Sequence, residues 1–330
     1  MINKLNEDIE DIFRFNIDTT KAYAVPSRDD PGLTFPKGEN KKGKILETCV
    51  LFIDIRNSTN ISRRLHDNKI LLGKIYSAFI HSMTTIADEY GYVRNIVGDR
   101  VMVVFEPGSC FENAIKCAAL MYTVAREIIA PLCTPIIFKV GIGIDFGEML
   151  VLKAGIRKKH EELSEYKNLV WIGDAANIAS KLTDIAGKEL SKNLYRLECY
   201  PSLHTPLRND PLSIFDNILK KDRIDSGYLD SLFKDTLIEL VDPNELYQNL
   251  VINDEGILFK NKKVKSINTD TQKIFTSPVL ISGKVYNSFR KIHSKSSLLG
   301  RFSKKEYNQV STGSGIFGGG FVLREIISNL

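Results

Sequence analysis

The chain has little of what marks a secreted, membrane-spanning or zinc-bound protein. Its 330 residues include five cysteines, Cys49, Cys110, Cys117, Cys133 and Cys199, an odd number without Cys-x-x-Cys spacing. That pattern excludes a disulfide framework and a paired-cysteine zinc site, and predicts reduced, mostly buried thiols. Long apolar runs are also missing. The longest, residues 128–138, is interrupted by Pro131 and Pro135 and is too short to span a bilayer. Met1-Ile-Asn-Lys-Leu-Asn-Glu-Asp8 runs into acids where a signal peptide has a basic start and an apolar centre. We therefore expect a cytoplasmic protein with no direct membrane insertion. The net charge of +5 suits a polyanionic ligand such as a nucleotide, and is too slight to argue for nucleic acid. The glycine-dense stretch 313–320 lacks the Lys-Ser/Thr ending of a P-loop and reads as a turn or hairpin.

With 43% hydrophobic and 26% charged residues, the chain is globular and long enough for one large domain or two smaller ones. Residues 5–15 have apolar positions at helical spacing, and Pro26, Pro31 and Pro36 then mark a loop. Leu46 to Ile55 is nearly continuously apolar and rich in β-branched residues, which predicts a central strand buried on both faces. A helix is expected over 61–90, with Ile70, Leu71, Ile75, Phe79, Met83 and Ile86 as its apolar face. Two strands meeting at Gly98-Asp99 follow, then a helix over about 110–129. Strands at Ile136 to Ile144 and Met149 to Lys153 are expected to join through Asp145-Phe-Gly147. This order predicts an α+β fold, an extended ferredoxin-like βαββαβ core with an inserted peripheral subdomain. The expected boundaries are 1–45 for an N-terminal helix and loop extension and 46–186 for the core. An insertion of unknown role covers 187–276, and 277–330 returns to the core.

Two carboxylates stand out against that topology. Val50-Leu-Phe-Ile-Asp-Ile-Arg-Asn-Ser-Thr-Asn60 delivers Asp54 into a loop rich in small donors, and Asn95-Ile-Val-Gly-Asp-Arg-Val-Met-Val-Val-Phe105 puts Asp99 at a tight turn. In a βαββαβ sheet the first and second strands are parallel, so the turn after the second lies where the first ends. Asp54 and Asp99 should converge there. Such a pair suits Mg²⁺ or Mn²⁺, which take oxygen ligands and leave positions for water and phosphates, and the backbone carbonyl of Ile55 can add to it. Ser58 and Thr59, with the loop amides, can hold a triphosphate. Two metals placed there can activate an attacking hydroxyl and neutralise a leaving pyrophosphate. Further on, Val170-Trp-Ile-Gly-Asp-Ala-Ala-Asn-Ile-Ala-Ser-Lys-Leu182 reads as strand, turn and helix, and Asn177 and Lys181 share one helical face. An amide for a ribose oxygen and an ammonium for phosphate charge would complete a nucleotide site.

Phe52-Ile-Asp-Ile-x-x-Ser-Thr59, Gly98-Asp99, Val140-Gly-Ile-Gly-Ile-Asp-Phe-Gly147 and Gly173-Asp-Ala-Ala-Asn-Ile-Ala-Ser-Lys-Leu182 occur in the order and approximate spacing of class III nucleotide cyclases. The resemblance covers about 46–186 and resumes at Ser277-Pro-Val-Leu-Ile-Ser282. It implies that Asp54 and Asp99 bind two divalent metal ions, Mn²⁺ or Mg²⁺, and that Asn177 orients the ribose. Lys181 stands where these enzymes commonly have an arginine on the pentavalent phosphate, so the charge is kept and the bidentate fork is lost. Arg157, after Lys153-Ala-Gly-Ile156, stands where the family often has another phosphate-contacting arginine. The resemblance further implies a head-to-tail homodimer with shared active sites and cyclisation of a nucleoside triphosphate to a 3′,5′-cyclic nucleotide.

Adenylate cyclases of this class read adenine with a Lys four residues before the second metal acid and an Asp seven before the ribose Asn. Those positions are Asn95 and Val170 here, and the Glu of guanylate cyclases is missing as well. Asn95 can donate and accept, and Val170 offers only bulk. That departure, together with a lone cyclase domain and a long insertion, resembles the pyrimidine cyclases (PycC) of bacterial Pycsar antiphage defence. There, cyclic UMP or cyclic CMP switches on a separate effector protein. Uridine is the expected base. A cytidylate cyclase, a purine cyclase with unusual base contacts, and an inactive nucleotide-binding regulator stay open as alternatives. A diguanylate cyclase is excluded, because Gly98-Asp-Arg-Val is not the Gly-Gly-Asp/Glu-Glu-Phe turn which that family needs.

Overall fold

The computed structural model describes residues 1–35, 37–38, 40–155, 167–200, 237–254, 256–307 and 310–320. Two compact units divide the chain, Met1–Lys188 with Phe275–Leu330, and Glu189–Ile274.

In the larger unit, helix α1 (Ile2–Arg14) and strand β1 (Ile17–Lys21) precede β2 (Lys41–Ile55). Then come helices α2 (Ser58–Arg64) and α3 (Lys69–Tyr90), strands β3 (Tyr92–Val97) and β4 (Arg100–Val104), and helix α4 (Cys110–Val124). Helix α4 continues through a π turn, Ala125–Ile129, into the short α5 (Ala130–Leu132), and β5 (Val140–Gly155), β6 (Lys167–Ile172) and α6 (Asp174–Ile185) follow. The central sheet runs β5-β2-β4-β3. Counted along the chain from β2, that is fourth, first, third, second, the ferredoxin-like arrangement. β1 joins it parallel to β2, and β6 pairs with β5.

The alternation along β2 sorts its two faces. Cys49, Leu51, Ile53 and Ile55 pack with Ile75, Phe79 and Met83 of α3 and Ala114, Cys117 and Met121 of α4, whereas Leu46 and Val50 pack with Ala175, Ala176 and Ala179 of α6. β2 is thus buried on both sides, and the five cysteines are all buried and free. By length and composition α3 could cross a membrane, and in the fold its buried side chains lie against the sheet.

Two local expectations need correction. The helix expected over 61–90 is two helices, because the chain turns at residues 65–68 and Asn68 caps a new start, its Oδ1 accepting from Leu71 N at 3.1 Å. Ile70, expected on the apolar face, is 76% exposed. The turn expected at Asp145-Phe-Gly147 does not exist either. β5 runs unbroken there because β2 pairs with it continuously from Lys44↔Val151 to Ile55↔Val140, with Val50 opposite Asp145 and Thr48 opposite Gly147. Ladder pairing on a long central strand outweighs the local turn preference of Asp and Gly. Asp145 is consequently buried, and burial pushes its carboxyl above the usual range.

The smaller unit begins with β7 (Glu189–Cys199) and β8 (Leu237–Val241), then helix α7 (Pro243–Asn249) and strands β9 (Leu250–Asn253), β10 (Gly256–Phe259) and β11 (Lys262–Phe275). Its sheet has the order β8-β7-β11-β10-β9, and Leu197, Cys199, Val241 and Phe259 form its core. The chain then returns to the larger unit with β12 (Val279–Ser282), α8 (Gly283–Ile292), β13 (Ser303–Lys305) and β14 (Ile316–Gly319). β12 lies parallel to β5 and extends the central sheet.

Candidate active site

β2 ends in two residues of opposite character. Ile55 turns into the helical core, and Asp54 lies on the other face at the strand's end, with its side chain 18% exposed. Asn57 then adopts a left-handed conformation, φ 57° and ψ 33°, which Asn tolerates better than most residues, and this turns the chain into α2. At the same end of the sheet Gly98, with φ +62°, makes the β3–β4 turn that presents Asp99. The two acids converge. Asp99 Oδ2 accepts the Ile55 N–H at 3.1 Å, and the Asp54 and Asp99 carboxyls lie within hydrogen-bonding reach of each other.

Burial and then the neighbouring Asp54 push the Asp99 carboxyl up to about 6. Burial acts to raise Asp54 too, but the hydrogen bonds from Asp99 and Arg100, with the charge of Arg56, outweigh it and hold Asp54 below the usual carboxylate range. The two acids meet in a partly buried corner, with Arg56 and Arg100 beside Asp54. Among the described residues no cluster of three or more His, Cys, Asp and Glu side chains exists, so the donor set is this pair. A pair of hard oxygen donors fits Mg²⁺ or Mn²⁺ completed by water and phosphate, and does not fit an all-protein zinc cage.

Two arginines hold Asp54 in place. Arg100 Nη2 lies 2.8 Å from Asp54 Oδ2 and 2.5 Å from Asp184 Oδ1, and its Nη1 donates to Ser180 Oγ at 3.0 Å. Arg56 is buried. Its Nη2 lies 3.3 Å from Asp54 Oδ2, and its Nη1 donates to the carbonyls of Thr183 at 3.0 Å and Asp184 at 3.4 Å. Arg56 therefore ties the loop after β2 to α6, and Arg100 ties the end of β2 and β4 to it. That helix can approach because the sheet beneath it has glycines. A Cβ on Gly141 would come 2.4 Å from the Ala186 carbonyl oxygen, and one on Gly143 would come 2.3 Å from that of Ala179.

Asp54, Ile55, Ser58 and Thr59 line one cavity of about 500 Å³, together with Asn57, Asn60, Arg63 and Lys188. Asn177 and Lys181 do not line it. They sit on the exposed side of α6, and among the described residues neither side chain has a hydrogen-bond or ion-pair partner. Asn95 is half-buried on β3, opposite Met102, and so faces the core layer that also holds Leu169 and Trp171. Val170 lies between those two on β6, is 41% exposed, and by alternation points to the other side. By strand alternation the Asn95 and Val170 side chains take different faces of the sheet within one chain. Arg157 lies outside the described residues. Arg100 follows Asp99 directly, and its role was open to reading from that adjacency. Arg63 and Lys188 carried no comparable signal, since only the fold brings them to one cavity.

Residues 41–191 match the family model described as the adenylate and guanylate cyclase catalytic domain. A uridylate cyclase of Burkholderia cepacia is 29% identical over 195 residues, 57% of this chain and 79% of that protein. A uridylate cyclase of Gulbenkiania mobilis is 31% identical over 180 residues, 51% of this chain and 65% of that protein. Among solved structures, the adenylyl cyclase CyaB from P. aeruginosa is similar at a TM-score of 0.38 and 19% identity, over 51% of this chain and 92% of that one.

Proposed function

We propose that this chain, similar over residues 41–191 to the adenylate and guanylate cyclase catalytic domain, is a class III nucleotide cyclase that converts UTP to 3′,5′-cyclic UMP and pyrophosphate. The observation that carries this reading is the Asp54–Asp99 pair beside a polar cavity in a chain whose adenine-reading positions hold Asn95 and Val170. The uridylate cyclases it resembles favour uracil over cytosine. In this reading the ribose 3′-hydroxyl oxygen bonds to the α-phosphorus as the bond to the bridging oxygen breaks, the hydroxyl proton passes to water, and pyrophosphate leaves. Asp54, Asp99 and the Ile55 carbonyl would hold two divalent ions, Mn²⁺ or Mg²⁺, which would supply Lewis-acid activation of the attacking hydroxyl and charge neutralisation of the leaving group. Ser58 and Thr59 donate to the triphosphate. Asn177 orients the ribose, Lys181 meets the charge that grows on the α-phosphate, and Asn95 and Val170 bound the base.

Asn177 and Lys181, exposed and without a side-chain partner among the described residues, support a homodimer in which α6 of one chain faces the carboxylates of the other. Cyclic UMP then serves as the signal for a separate effector protein in antiphage defence, with the enzyme in the cytoplasm. The test is incubation of the full chain with Mn²⁺ and each of the four ribonucleoside triphosphates, with products identified by mass. Cyclic UMP as the main product is expected. Cyclic CMP in its place would move the base assignment to cytosine, and a cyclic purine would sink the pyrimidine reading.

A further inference from the structure

We propose that Arg63 and Lys188 bind the β- and γ-phosphates of the substrate, an inference that rests on the cyclase reading above. The cavity beside Asp54 is polar. Apart from Ile55, its described lining consists of charged, amide and hydroxyl side chains, so it offers little apolar surface on which a base could lie. Three cationic side chains line it, Arg56, Arg63 and Lys188, and Arg100 stands beside Asp54; Arg56 and Arg100 are already committed. Arg56 is buried against Asp54 and the α6 carbonyls, and Arg100 spans Asp54, Asp184 and Ser180. Arg63 and Lys188 are exposed at the cavity, and among the described residues neither side chain has a hydrogen-bond or ion-pair partner.

Both are held at the rim by built structure. Arg63 lies in the last turn of α2 between the buried Ile61 and Leu65. Lys188 follows Gly187, whose φ of +67° makes the turn after α6. The Lys188 N–H donates to the hydroxyl of buried Thr276 at 2.9 Å, and its carbonyl accepts from the Thr276 N–H at 2.9 Å. Asp54 is the cavity's lone carboxylate among the described lining residues, and Arg56 already answers it, so the two free cations leave the cavity net positive. A triphosphate brings about four negative charges at neutral pH, most of them on its two outer phosphates. A polar cavity with two unpaired cations on opposed elements is built for that end of the substrate, and not for its ribose or base.

The experiment titrates inorganic tripolyphosphate into the full chain in Mg²⁺ buffer and measures UTP turnover with Mn²⁺. Arg63→Ala and Lys188→Ala should each weaken tripolyphosphate binding about tenfold or more and raise the KM for UTP in parallel, with kcat changed by about twofold or less. Arg63→Lys should recover part of the loss. Arg64→Ala, on the same helix and outside the cavity, should match the parent. Unchanged tripolyphosphate affinity and KM in both variants, while the parent makes cyclic UMP, would overturn the inference and leave the cyclase standing. A fall in kcat alone, or no tripolyphosphate binding by the parent, would also overturn it. Binding through both cations with no cyclic product from any triphosphate would keep the anion site and remove the cyclase reading.

Discussion

Arg56 and Arg100 reach the same oxygen of Asp54 from different environments, and truncating each should have unequal cost. Arg56 has a side chain only 3% exposed, and it joins the loop after β2 to the last turn of α6 through Thr183 and Asp184. Arg56→Ala leaves Asp54 short of one counter-charge and two helix-terminal carbonyls without their donor. Removing one partner of a buried ion pair costs about 3–5 kcal/mol. Here Asp54 is partly exposed and keeps Arg100 at 2.8 Å, so a loss of about 2–4 kcal/mol is expected. For a unit of this size that lowers the melting temperature by about 5–15 °C. The Arg100 side chain is 28% exposed and its second partner, Asp184, is 51% exposed, so Arg100→Ala should cost only about 0.5–1 kcal/mol. Trp171, the chain's single tryptophan, packs against the core layer under α6, so its emission follows the unfolding of the larger unit. An Arg56→Ala protein that melts within about 2 °C of the parent, or above Arg100→Ala, would refute the assignment of Arg56 as the buried tie.

Three further outcomes follow from the same geometry. Gly143→Ala forces α6 away from β5, should cost about 1–3 kcal/mol, and should depress turnover well below the melting temperature because Asn177 and Lys181 move with the helix; normal turnover would contradict that coupling. If the proposed shared-site dimer forms, Asp54→Ala and Asn177→Ala should each be inactive alone and recover activity when coexpressed, since one intact site then remains; no recovery would remove that dimer. If Asp99 holds Mn²⁺ as proposed, it must lose the proton that burial and Asp54 help it keep, so affinity should fall as the pH drops through about 6. Calorimetric affinity unchanged between about pH 5 and pH 8 would refute that role. Without the ion the sign reverses. A carboxyl raised from 3.8 to about 6 on folding favours the folded state at low pH, and that contribution is lost as the pH rises through 6.

The readable parts of this protein are those where several local signals agree. The unbroken apolarity of Leu46 to Ile55 marks a strand buried on both faces, and β2 lies between β5 and β4 with a packed layer on each side. Asp54 and Asp99 are 45 positions apart in sequence, yet the order of elements places them at one sheet end, because a parallel pair of strands must finish on the same side. The unreadable parts are those where signals compete. At Asp145-Phe-Gly147 the turn chemistry is real, but twelve consecutive pairings with β2 hold the backbone straight. At residues 65–68 the apolar rhythm ran through a break that the cap at Asn68 alone announces.

By itself the sequence determined which chemistry is available: two acids at strand ends, a loop of small donors, and an amide and an ammonium one helical turn apart. Local residue types and their spacing are sufficient for that, since each reflects a backbone requirement within a few positions. Only the tertiary structure decided which cations are free. Arg56 and Arg100 are consumed by Asp54 and α6, whereas Arg63 and Lys188 meet at one cavity from elements distant in the chain. Whether a charge is paired depends on what packs beside it, and that depends on the close approach of α6 over Gly141 and Gly143, which no local pattern encodes.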